Sequence, residues 1–348
     1  MFYCKKYFFL FEFSLLPTLW LILGWGNNPE RIQAGVAIIL YTICASIPIL
    51  GVLVFLCIQE QSADYSVVFF SPVWYEIWTK DAGWSVWMLL ILGFLVKLPI
   101  FCFHSWLPKA HVEAPLAGSM LLAGILLKLG VYGILRITQV FNVFIINIAS
   151  CGVLSIAVWG GVFTRCYCLC QRDIKSLIAY SSIGHISVCL VGIVSCTEVG
   201  WAGSVCLCFA HGLSSPLMFI MAGSFYQWSL SQRVVINKGL LVVFPSFALC
   251  WCFSCVLRIS LPPTLNFLGE VICITAGVWV YWVFCIPLGI MCFLAGVYCL
   301  CAYSSVSHGN PRSLLIPLRY LSDRYLYSAF FLGYFLVLGV FGLDFFTV

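Results

Sequence analysis

The sequence predicts an all-α polytopic membrane protein of about ten transmembrane helices, two of them broken at mid-membrane. Three observations carry this. Of 348 residues, 63% are hydrophobic and only 8% charged, against about 25% charged in an ordinary soluble domain. The apolar residues fall into runs near the roughly 20 residues that a bilayer core requires. Two of those runs are interrupted by proline close to a charged side chain, at Lys97-Leu98-Pro99 and at Pro262-Pro263 ahead of Glu270.

Taken in order, the runs cover residues 7–25, 32–58, 84–106, 115–138, 141–164, 174–195, 201–225, 239–283, 284–303 and 325–346. Residues 1–6 are short and basic, and the run after them is long enough to span. They therefore read as part of an anchor rather than a cleaved signal. The third run carries the first proline interruption. The eighth is too long for one helix and contains Leu261-Pro262-Pro263-Thr264, which must break it. Its halves are expected near 239–260 and 265–283. No polar loop marks the boundary at 283/284.

Loop charges test this count. If the N-terminus is on side A, side B carries Arg31, Lys109, Arg165, Arg172, Lys175, Arg233, Lys238, Arg312, Arg319 and Arg324. Side A carries Lys5, Lys6, Lys80 and Arg136. Side B is then the inside, matrix or cytoplasm. Splitting the eighth run into two full spans would move Arg312, Arg319 and Arg324 across and erase the asymmetry. The charges therefore favour one broken span.

Several functions are excluded by what the chain lacks. There is no Walker A motif, no GxGxxG ahead of a strand, no HExxH and no nucleophile triad. The net charge of +5 belongs to membrane loops and does not imply nucleic acid. The 20 cysteines lie mostly inside apolar runs. Cys252 and Cys255 form a CxxC, and Cys166, Cys168 and Cys170 a CxCxC. No second cluster matches them, so they read as small apolar side chains rather than an iron–sulfur site. The abundance of Phe, Cys, Leu, Val, Trp and Gly, all with T- or G-rich codons, points to a biased organelle genome.

Four charges lie well inside spans: Glu12, Lys97, Lys128 and Glu270. Each costs roughly 2.5–3.5 kcal/mol on insertion scales, and such residues mark ion or proton paths by default. A desolvated lysine can give up a proton and a nearby carboxylate restores it, whereas arginine does not deprotonate in proteins. Lysine at both central positions thus favours proton handling over a static pair. His185 and His211, in SSIGHIS and CFAHGLSSP, suit a relay, and Ser181, Ser182, Ser214 and Ser215 beside them could hold bridging water. His104 and His111 flank a span end and read as interfacial; His308 falls in a loop. The competing readings are static ion pairs and hydrogen-bonded core histidines.

The two breaks fall in the third and eighth spans, five apart, and an odd offset is what an inverted repeat requires. Non-helical backbone at membrane depth is tolerated only inside protein or beside a watery cavity. Paired interruptions point to the ion path of a transporter.

At these residues the chain resembles a known family. NPERIQAG (28–35), HSWLPKAHVEAPLAGSMLLAGILLKLGVYGILR (104–136), DIKSLIAYSSIGHIS (173–187), AHGLSSPLMF (210–219) and LPPTLNFLGE (261–270) closely resemble the antiporter-like membrane subunits of respiratory complex I, in their mitochondrial subunit 4 type. Subunits of cation/proton antiporters are more distant relatives. The resemblance covers nearly the whole chain. It implies two inverted five-helix repeats, each with a broken helix, and a proton path along the membrane midplane. It matches Glu12 to the acid paired with Lys97, Lys128 to the central lysine, His185 and His211 to relay histidines, and Glu270 to the terminal acid. Family members have about four helices ahead of the one carrying Glu12. The first repeat, 1–138, is therefore expected to be incomplete, with 139–303 the second repeat and 304–348 a loop and C-terminal helix.

The resemblance also implies a proton-translocating subunit of NADH:ubiquinone reductase in the mitochondrial inner membrane, with no cofactor on this chain. FMN and iron–sulfur clusters would sit on other subunits. Its partners would be neighbouring antiporter-like subunits and membrane lipids, cardiolipin among them. A cation/proton antiporter subunit without redox coupling, and a purely structural membrane-arm subunit, stay open as alternatives.

Overall fold

The computed structural model of the chain describes residues 3–26, 29–60, 83–140, 143–229, 231–310 and 323–345. The segment 61–82, with Lys80, lies outside the described residues, as do Arg312, Arg319 and the side chains of Lys5 and Lys6. Among the described residues the chain is helical apart from short connections and one isolated backbone pairing of Asp173 with Arg233.

The helices, in chain order, are α1 (Tyr3–Phe13), α2 (Leu15–Trp25), α3 (Arg31–Glu60), α4 (Gly83–Lys97), α5 (Trp106–Glu113), α6 (Leu116–Leu121), α7 (Leu127–Val140) and α8 (Val143–Leu169). They continue as α9 (Ile174–Val194), α10 (Glu198–Ser229), α11 (Leu240–Val243), α12 (Pro245–Ile259), α13 (Leu265–Val280), α14 (Cys285–Ser307) and α15 (Asp323–Leu338). A π turn, Leu122–Leu126, joins α6 to α7.

Among the described residues, eight helical stretches are long and apolar enough to cross a membrane, and three shorter apolar ones are α12, α13 and most of α4. The shorter ones are pieces of two interrupted spans. With each counted once, the ten expected spans are all found among the described residues.

α9 is the axis of the bundle. Of its most apolar window, 94% is buried, against 17% for α15. Its sequence explains this: apolar and small residues surround it on every face, as expected of a helix enclosed by others. α8, α10 and α13 pack around it. Gly269 of α13 lies against the backbone of Leu207 in α10, where a Cβ would come within 2.8 Å.

Both breaks have local causes. α4 stops at Lys97 because Pro99 disfavours helix at the residue before it and cannot donate a backbone hydrogen bond. The Trp106 indole N–H reaches back 3.1 Å to the Val96 carbonyl, satisfying a group that the interrupted ladder frees. α12 stops at Ile259, with Ser260 in the left-handed region at φ 65°. The Asn266 amide donates to the Leu257 carbonyl at 2.9 Å, and Thr264 caps the start of α13 by accepting from the Phe267 N–H at 3.3 Å.

Three sequence expectations need correction. α8 runs to Leu169, beyond the expected end at 164, so Arg165 lies inside a helix and is fully buried rather than in a loop. Lys175, also placed in a loop, is buried in the first turn of α9 and donates to the Ala114 carbonyl at 3.0 Å. His111 is not interfacial: it is completely buried, its ring stacked 4.8 Å from that of Phe219.

Candidate functional site

Lys128, His211, His185 and Glu270 come from four different helices and form one line. The Lys128 ammonium donates to the Ala123 carbonyl at 2.6 Å and lies 2.8 Å from His211 Nδ1. Because an ammonium only donates, His211 Nδ1 accepts in that contact. The rings of His211 and His185 stand 5.8 Å apart, centroid to centroid. His185 Nδ1 lies 2.5 Å from Glu270 Oε1, and the Tyr298 hydroxyl lies 3.4 Å from His185 Nε2.

The helices are irregular where these groups meet. The π turn ends just before Lys128 and is what brings Nζ back to the carbonyl five residues earlier. π turns inside α-helices occur often at functional sites. In α10, Pro216 removes a backbone donor and crowds the carbonyl four residues before it, at Gly212. That carbonyl adjoins His211. A cavity of about 10 Å³ lies between Lys128, His185 and His211, about the room one water needs. Leu127, Val131, Ile186 and Leu207 form its apolar lining.

Two arginines stand beside the line, both fully buried. Arg165 reaches the Met291 carbonyl, the Gly184 carbonyl at 3.4 Å and Glu270 Oε1 at 3.9 Å. Gly184 is required for this, since a Cβ there would come within 2.7 Å of Arg165 Nε. Arg258, one residue before the end of α12, donates to Ser181 at 3.0 Å and to Ser214 at 3.4 Å. Sequence reasoning missed both as intramembrane charges. A signal for Arg258 was available: among the 17 Lys and Arg, it is the one assigned neither to a loop nor to a central position.

Glu12 and Lys97 form a separate station. Lys97 is 2% exposed, donates to the Phe11 carbonyl and lies 3.4 Å from the Ser14 hydroxyl. Its ammonium sits 3.3 Å from the centroid of the Phe11 ring. Glu12 is half-buried beside Ser46 of α3 and within the field of Lys97. Among the described residues, the ion pairs within 4 Å are Arg165–Glu270 and His185–Glu270, so Glu12 and Lys97 are neighbours without direct contact. No hydrogen bond joins Lys97 to Lys128 among the described residues. A second cavity of about 10 Å³ borders the break after Lys97, lined by Leu98, Pro99, Gly160, Ser187 and others. Ile186 borders both cavities.

A bundle with two broken helices and a buried file of lysine, histidines and glutamate marks a polytopic helical membrane protein built on interrupted spans. The chain belongs to the family described as NADH:quinone oxidoreductase/Mrp antiporter, TM, which matches residues 5–295. NADH-ubiquinone oxidoreductase chain 4 of Aedes aegypti is 40% identical over 303 residues, 87% of this chain and 66% of that protein. The protein of the same name from Lumbricus terrestris gives the same figures. That of Paracentrotus lividus is 38% identical over 306 residues, 88% of this chain and 65% of that protein. The chain thus spans about two thirds of the length of these curated relatives. Among solved structures, a chain of respiratory complex I from Thermus thermophilus with bound NADH superposes with a TM-score of 0.87 at 22% identity, covering 98% of this chain and 73% of that one. A chain of the Mrp complex from Dietzia sp. DQ12-45-1b gives 0.81 at 21% identity, covering 96% and 36%. At these identities the two structures show the fold.

Proposed function

We propose that this chain translocates protons as a membrane-arm subunit of respiratory complex I, in the mitochondrial inner membrane. Its neighbours there are other subunits of the complex, antiporter-like ones among them, and membrane lipids including cardiolipin. Electron transfer from NADH to ubiquinone takes place on other subunits, which carry the FMN and iron–sulfur clusters. The relatives named NADH-ubiquinone oxidoreductase chain 4 support this assignment. The observation that carries the proton role is the file Lys128, His211, His185 and Glu270, in which each group can bind or release a proton and lies close to the next.

In this reading Glu12 and Lys97 are the switch of the first repeat (1–138). A shift that brings Glu12 closer holds the proton on Lys97, and a shift that separates them releases it toward Lys128. His211 and His185, with a water between them, carry it to Glu270 in the second repeat (139–303). Moving a charge across 100 mV costs about 2.3 kcal/mol, so the switch must be tied to the redox reaction.

The test is Lys128→Met in the assembly isolated with this chain and reconstituted in vesicles. NADH oxidation should continue while proton uptake driven by it falls. An unchanged proton yield per electron would overturn the reading. Cation-dependent proton exchange in vesicles without NADH would favour a cation/proton antiporter instead.

A further inference from the structure

Among the described residues, Arg258 has no carboxylate within 4 Å, yet it is 1% exposed. A buried guanidinium without an acid partner is costly, and its position explains what it gains. It stands in the last turn of α12, where the unpaired carbonyls of a helix C-terminus favour a cation. Its two terminal nitrogens then point in different directions. One donates to Ser181 of α9 and the other to Ser214 of α10. Ser181 is four residues before His185 and Ser214 three after His211, so each serine is one turn from a relay histidine and on the same side of its helix.

We infer that Arg258 is a positioning residue: a strut from the broken helix that sets the separation of the two relay histidines. The inference rests on the relay proposed above and goes beyond it. The two rings are 5.8 Å apart between centroids, and no hydrogen bond joins them among the described residues. Transfer therefore depends on holding them around a single water-sized space. The guanidinium meets each serine with a different nitrogen, so its rigid fork spans the two helices. Lysine would keep the charge but present a point donor. Arginine also keeps its proton, so the strut adds no stopping place to the path. Movement of the α12 end at the break would be felt at both histidine helices together, which gives the break a mechanical connection to the relay.

The test compares Arg258→Lys, Arg258→Gln and the double variant Ser181→Ala, Ser214→Ala in the reconstituted assembly, with Lys128→Met as reference. Protons moved per electron are read alongside NADH oxidation and the amount of assembled complex. The expected result is a loss of proton yield in Arg258→Lys and in the serine double variant, with NADH oxidation retained. The double variant keeps the guanidinium and serves where Arg258→Lys fails to assemble. A normal yield in Arg258→Lys with a loss in Arg258→Gln would show that charge alone matters and overturn the strut. A normal yield in the serine double variant would overturn it as well. Loss in Lys128→Met together with either of those results removes the strut and leaves the relay. A normal yield in Lys128→Met removes both.

Discussion

The two broken helices each bury a charge beside the break, by opposite means. At the first break the cation, Lys97, ends the leading half-helix and rests on a backbone carbonyl, a hydroxyl and the face of Phe11. At the second, the acid Glu270 lies in the trailing half-helix and is clasped by His185 and Arg165. The leading half there also ends in a cation, Arg258. A cation before the gap is thus common to both, as the helix dipole favours. What differs is the partner. Lys97 is held by neutral groups, and Glu270 by an imidazole and the fixed positive charge of a guanidinium. The first arrangement suits a site that changes its company, the second an acid that stays anchored in one place.

The largest expected effect tests the second clasp. Glu270→Gln leaves Arg165 buried without its acid, a loss on the order of 3–5 kcal/mol. The amount of assembled chain in membranes should fall sharply, and normal assembly would show that Arg165 is neutralised by something else. Lys97→Met should be milder for assembly, since it forfeits mainly a cation–π contact of about 2 kcal/mol, while proton yield is lost. Lys97→Arg sharpens the contrast: it should assemble and still fail to pump. Full pumping by Lys97→Arg would show that the first station need not release a proton. The smallest effects concern the stitches at the gaps. Trp106→Phe removes the bond to Val96 and Thr264→Ala the cap of α13, each about 1 kcal/mol. Equal small drops in thermal midpoint are expected; a large drop from one alone would show that the two gaps are not equally secured.

The spans and both breaks were legible in the sequence because bilayer length and proline chemistry are local signals. Residues 174–195 and 201–225 are found almost as expected, as α9 and α10. The intramembrane charges Lys128 and Glu270 were visible for the same reason, since a charge in an apolar run stands out. Arg165 was not visible, because it sits at the end of an apolar run and looks like a loop residue until α8 is seen to continue beneath it. Nor could the run HSWLPKAHVEAP disclose that His111 is enclosed, because its burial depends on Phe219, far along the chain. Tyr298, beside His185, carries no charge and gave no signal at all.

The π turn at Leu122–Leu126 has a consequence for comparing chains of this kind. A π turn is an α-helix holding one residue more than its hydrogen bonds need. Dropping any one of those five residues would let the helix close up as an ordinary α-helix and rotate its C-terminal part by about 100°. Lys128 would keep its identity and its depth but face away from His211. The lysine's address is therefore written in chain length as much as in residue type. A relative with a one-residue gap in this stretch could retain every ionisable side chain and still have no contact between them.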